Sequence, residues 1–241
     1  MTDERLRRRE RALALSGAEE AQAEALAEGL RAGRIAPARL ALLARLGWAP
    51  AVRILGAVDA SPDGLTRALR AAGLDVCLRA ALALLRRQLP QVTPDLLATG
   101  RDDEFLDPAA LEGLLGALEE LARCPCDAHA EAVIDREHLA SGAMSYLFDA
   151  SSGQEETHGD LASAGWSGRV LSALVAVVQG PAYLWPEWSV EGSGRTGFVC
   201  AALAAARERI PEAELMAALL AELLPWLLGR GDSSARPPGR G

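Results

Sequence analysis

Residues 107–123 read Asp107-Pro-Ala-Ala-Leu-Glu-Gly-Leu-Leu-Gly-Ala-Leu-Glu-Glu-Leu-Ala-Arg123. Leu111, Leu114, Leu115, Leu118, Leu121 and Ala122 recur at i, i+3, i+4 and i+7, the period of a helix with one apolar face. Asp107 followed by Pro108 is a helix start: a side-chain oxygen that can accept from free backbone N–H groups, then a residue whose fixed φ suits the first helical position. Glu112, Glu119 and Glu120 fall on the opposite side, which predicts a solvated face.

The same pattern extends outward in both directions. Toward the N-terminus, Ser61-Pro62-Asp63 is a second helix start, with a helix predicted to run to Gly73. Residues 74–89 carry Leu74, Cys77, Leu78, Ala81, Leu82 and Leu85 around most of the helix and predict a central element that stops before Pro90. Thr93-Pro94-Asp95 then reads as the start of a short helix. Residues 3–15 and 18–32, the latter ending at Gly33, read as charged helices. Ala36-Pro37 opens a helix closing at Gly47, and a shorter one begins at Ala49 with Pro50 in its first turn.

Toward the C-terminus, Cys124-Pro125-Cys126-Asp127 reads as a restart, with Pro125 at the first helical position and the helix continuing to about Phe148. Residues 149–168 predict a long loop, 169–179 a buried helix and 180–197 an irregular stretch. Helices are expected again at 198–209 and 211–228. The tail from Gly229, rich in Gly, Pro and Ser, predicts disorder.

Composition points the same way. Ala and Leu number 88 in the 241 residues, against 15 Val and Ile. Straight-chain and small residues lose little on entering a helix, whereas the β-branched residues that favour strands are scarce. The expected fold is all-α: an irregular domain of stacked helical hairpins with about ten to twelve helices, given short connections between periodic segments. Residues 1–100 form an N-terminal hairpin region and residues 101–228 a C-terminal helical region, the two packed as one domain. Residues 229–241 form a disordered tail.

All 25 basic residues are Arg. The absence of lysine excludes Schiff-base, P-loop and lysine-nucleophile chemistry. Charge is uneven, with 15 Arg against 11 acids in residues 1–100, 3 against 15 in 101–160, and 7 against 7 in 161–241. An acidic middle repels nucleic acid and anionic lipid. The cluster Arg5, Arg7, Arg8, Arg9 and Arg11 is blunted by Asp3, Glu4 and Glu10, so no nucleic-acid partner is expected. The longest apolar run, Val170 to Val178, is about half of a membrane span, so no membrane partner is expected either. Four cysteines form no disulfide framework and the charged N-terminus lacks a signal-peptide core, which makes the cytoplasm the expected location.

Two metal-ligand patterns are present. Cys124, Cys126 and His129 form C-x-C-x-x-H, a set of thiolate and imidazole donors suited to zinc that needs a fourth ligand, with Cys77, Cys200 or His138 as candidates. Glu131, Asp135 and His138 would share a face of a continuous helix, and Glu155 with His158 forms a second carboxylate-x-x-His pair. Gly192 to Gly197 has glycines at phosphate-loop spacing, yet Phe198-Val199 stand where Lys-Ser/Thr is required. Arg230-Gly-Asp232 lies in the tail and carries no argument. Tyr183, Trp185 and Trp188 form an aromatic cluster in a Gly/Pro-bounded stretch, either an exposed anchor or part of the core.

Gly33 to Gly56 (GRIAPARLALLARLGWAPAVRILG) and Ala117 to Ala130 (ALEELARCPCDAHA) resemble segments of uncharacterised Ala/Leu/Arg-rich helical proteins of GC-rich bacteria, in which an LGxxA helical hairpin precedes a CPCxxH-like segment. The resemblance implies a helical-hairpin fold and no activity. With no legible catalytic set, the expected function is that of a non-enzymatic helical interaction or scaffold protein with a protein partner. Its specificity would lie in Tyr183–Trp188 and the acidic residues 149–160. The alternative is a metal-binding protein or metal-dependent enzyme using Cys124, Cys126 and His129, or Asp135, His138 and His158.

Overall fold

The structure is a computed structural model that describes residues 19–56, 58, 61–97, 107–124, 126–152, 165–183 and 197–228. The predicted helix at 3–15, the Arg5–Arg11 cluster and the tail fall outside them. The described residues contain eleven helices and no strand: α1 (Glu19–Arg31), α2 (Pro37–Arg45), α3 (Ala49–Leu55), α4 (Pro62–Ala72), α5 (Leu74–Leu97), α6 (Pro108–Arg123), α7 (Asp127–Ile134), α8 (Glu137–Ser152), α9 (Gly165–Tyr183), α10 (Gly197–Arg207) and α11 (Glu212–Leu227). The fold is all-α and multi-helical.

The chain divides into two compact units at Gly73, upstream of the charge boundary near residue 100. The first takes in α1–α4 and the end of α11. Here α2 packs on α3 and α4, and α1 on α3. Gly33 and Gly47, at φ 66° and 82°, close α1 and α2. In each case the next residue donates back to a carbonyl five positions earlier, Arg34 to Gly29 at 2.9 Å and Trp48 to Leu43 at 3.0 Å. That turn requires a left-handed residue, which glycine adopts without a Cβ clash. Ser61 caps α4 by accepting from the Gly64 amide at 3.0 Å.

The second unit contains α5–α10, with α5 and α9 at its centre. Helix α9 packs against α5, α7, α8 and α10, and α5 against α6, α8, α9 and α10. The apolar run Val170–Val178 supplies Val170, Leu171, Leu174, Val177 and Val178 to this core, all buried. Trp166, at the start of α9, donates Nε1–H to the Ala205 carbonyl of α10 at 2.8 Å, and Arg209 covers its ring. Asp107 caps α6, and Leu111, Leu114, Leu115, Leu118 and Leu121 are all buried as the spacing predicts. Glu112 and Glu120 are exposed. Glu119 is half-buried because it forms a two-pronged ion pair with Arg86 of α5, both contacts at 2.6 Å.

Several expected boundaries are corrected. Helix α5 does not stop before Pro90, and no new helix starts at Thr93: it runs unbroken through Pro90 and Pro94. Leu85, Leu89 and Val92 continue one buried stripe, while Pro90, Pro94 and Arg86 are exposed. The carbonyl that Pro90 leaves without a donor, that of Arg86, thus lies on the solvent side, where water can satisfy it. Packing outweighs the local preference to break. The restart after Cys124 begins at Asp127 with Cys126 as its N-cap, two residues later than the Pro125 start expected, and it breaks at Asp135–Arg136 into α7 and α8. Helix α8 continues to Ser152, and α9 occupies 165–183, so the predicted loop at 149–168 and the irregular stretch from 180 both shrink at their helical ends. No described helix is long and apolar enough to cross a membrane.

Candidate metal centre

The site sits where α6 ends and α7 begins. Arg79 of α5 holds the end of α6 by donating from Nη2 to the Ala122 carbonyl at 2.9 Å, satisfying one of the carbonyls that a helix C-terminus leaves open. Cys124 is the C-cap, its amide donating to the Glu120 carbonyl at 2.8 Å and its backbone turning to extended values (φ −131°, ψ 84°). Cys126, also extended, is the N-cap of α7, and its carbonyl accepts from the Ala130 amide at 3.0 Å.

His129 is the third residue of α7. Helical side chains lean toward the N-terminus, so a residue at this position reaches back toward the cap. Here Nδ1 of His129 comes to 3.3 Å from Cys126 Sγ and 2.7 Å from the Cys124 carbonyl oxygen. The ligand atoms of Cys124, Cys126 and His129 all lie within 4.8 Å of one another. Among the described residues this is the only His/Cys/Asp/Glu group of three that converges so closely. Cys124 is exposed, Cys126 and His129 are half-buried, and none of the four cysteines is in a disulfide.

The electrostatics favour a protonated thiol at Cys124. Loss of hydration around its sulfur, the hydrogen bond and charge of Cys126, and the Glu120 carboxylate all push it above the ordinary thiol range. That is unfavourable for a free thiolate nucleophile. A bound cation would reverse the balance, because it stabilises the thiolate and the thiol's proton is released to solvent.

The other predicted ligands do not join this group. Glu131 and Asp135 are exposed on α7 and at its C-cap, and His138 is exposed in the first turn of α8. The shared face expected of Glu131, Asp135 and His138 assumed one continuous helix, and the break at Asp135–Arg136 removes that register. Cys77 is buried on α5 and Cys200 half-buried on α10, both outside the converging group. Glu155, His158, Trp185, Trp188 and residues 192–196 lie outside the described residues. So does the side chain of Tyr183, whose backbone ends α9. Glu120, read from sequence as part of a solvated face, stands one turn before Cys124 and is exposed, paired with Arg123.

No protein-family model matches the sequence, no curated protein is similar to it, and no solved structure matches its fold.

Proposed function

We propose that this chain is a helical metal-binding protein whose Cys124, Cys126 and His129 hold zinc at the α6–α7 junction. The convergence of two sulfurs and an imidazole nitrogen within 4.8 Å carries the reading. In a zinc tetrahedron, bond lengths of about 2.3 Å to sulfur and about 2.0–2.1 Å to imidazole set the S···N edge at about 3.6 Å and the S···S edge at about 3.8 Å. The 3.3 Å between Cys126 Sγ and His129 Nδ1 is close to that edge. Two thiolates and an imidazole suit zinc, whereas Mg²⁺ and Ca²⁺ take oxygen donors.

Metal entry requires His129 to present a bare Nδ1, so the hydrogen now shared with the Cys124 carbonyl moves to Nε2. The interaction or scaffold role has less support. Leu55 is the only large hydrophobic exposed among the described residues, and the Trp185/Trp188 cluster lies outside them.

The test is metal analysis of reduced protein purified without a histidine tag. Wild type should carry close to one zinc per chain, and Cys126→Ser should carry far less. Less than about 0.2 metal per wild-type chain after incubation with zinc would overturn the reading, since a true site fills to near stoichiometry.

A further inference from the structure

We infer that Cys124 and Cys126 are a redox switch on this site: a hydroperoxide joins their sulfurs in a disulfide, and the zinc is released. Release of zinc rests on the metal reading above, whereas the disulfide rests on the two sulfurs.

Both cysteines stand between α6 and α7 with extended backbone, φ −131° and ψ 84° at Cys124, φ −148° and ψ 163° at Cys126. Extended chain sends side chains two residues apart to the same side, and the two sulfurs lie within 4.8 Å of each other. Rotation about the Cα–Cβ bonds, between the staggered positions open to a cysteine, is the motion that brings them to bonding distance. The helix ends engage the Cys124 amide and the Cys126 carbonyl, so the sulfurs are not needed to hold either helix. Access orders the pair. Cys124 is exposed and Cys126 half-buried, whereas Cys77 is buried and Cys200 lies outside the converging group. An exposed cysteine with a second sulfur beside it suits capture of a first oxidation as a disulfide.

The Cys124 thiolate attacks a peroxide oxygen and the O–O bond breaks. Cys124 becomes a sulfenic acid, and the departing oxygen takes up a proton as water or an alcohol. The Cys126 thiolate then attacks the Cys124 sulfur: the S–S bond forms, the S–O bond breaks, and hydroxide leaves and is protonated to water. The sulfurs have lost two electrons and the peroxide has gained them. A disulfide is not a thiolate ligand, so His129 remains as the single donor of the three and the metal departs. A dithiol reductant returns both thiols by exchange and is itself oxidised to a disulfide.

The experiment titrates the reduced full-length chain, zinc-loaded and zinc-free, with hydrogen peroxide. Released zinc is read with a chromophoric chelator and cysteine pairing by peptide mass mapping. Loaded wild type should release its zinc in step with a Cys124–Cys126 disulfide, and dithiothreitol should restore both thiols and zinc binding. The zinc-free chain should form the same disulfide. In Cys126→Ser, where serine remains a good helix cap, dimedone should label Cys124 as the trapped sulfenic acid. Absence of that label would overturn Cys124 as the attacking sulfur. Pairing with Cys77, Cys200 or a second chain, or sulfinic acid at Cys124 in place of the disulfide, would overturn the switch and leave the metal reading intact. Retention of zinc and of both thiols in excess peroxide would do the same. Failure of the reduced chain to take up zinc would overturn the metal reading and the release step with it, while the zinc-free map still decides the disulfide.

Discussion

The imidazole of His129 reaches back along the first turn of α7 to bring Nδ1 within 3.3 Å of Cys126 Sγ. Its position is an outcome of helix geometry: the cysteine is the cap, the histidine is the third helical residue, and a side chain at that position leans back toward the cap. Everything that fixes the start of α7, including the anchoring of α6 before it, therefore bears on the site.

Arg79 is that anchor. Its hydrogen bond to the Ala122 carbonyl lies two residues before Cys124. Arg79→Gln should destabilise the protein by about 1.5–3 kcal/mol, the range for a hydrogen bond to a charged group. It should also weaken zinc binding. Chemical denaturation and a competitive zinc titration check the two effects. A variant that loses stability with unchanged zinc affinity would show that the end of α6 does not position Cys124.

Leu118 is fully buried on the apolar face of α6. Leu118→Ala should cost about 2–5 kcal/mol, combining lost transfer free energy with the cavity left behind. Equilibrium unfolding in urea measures it, and a change within error of zero would be incompatible with the packing described.

Pro90 sits exposed in the middle of α5. A proline inside a helix costs about 3 kcal/mol relative to alanine when nothing compensates. Pro90→Ala should therefore raise stability by about 1–3 kcal/mol, because the new N–H can pair with the Arg86 carbonyl and no buried contact is lost. A drop in the urea midpoint would mean that α5 is broken at this point.

Much of the helical layout is readable from local chemistry. Asp107 and Ser61 act as caps where an oxygen-bearing residue precedes proline, and the Leu111–Leu121 stripe is buried because its spacing admits one apolar face. The continuation of α5 is different. Nothing near Pro90 announces it, since it depends on Leu89 and Val92 finding partners from distant parts of the chain. The site shows the same division. The spacing of Cys124, Cys126 and His129 exposes the donor set, but their convergence depends on α7 starting at Asp127, after Pro125 and with Cys126 outside the helix as its cap. Starting the helix at Pro125 would put both Cys126 and His129 inside it and lose the reach-back. For Glu131, Asp135 and His138, periodicity alone could not register the interruption at Asp135–Arg136.

Helix α7 has only eight residues, well short of the dozen or so at which a helix begins to hold together unaided in water. It is ordered by what touches it, and a metal shared between the end of α6 and the first turn of α7 would be one of those contacts. Because the ligands span so few residues, such a cross-link would tighten this corner and do little for the chain as a whole. Occupancy would then register as slower amide exchange across α7, with α5 and α9 exchanging at their former rates.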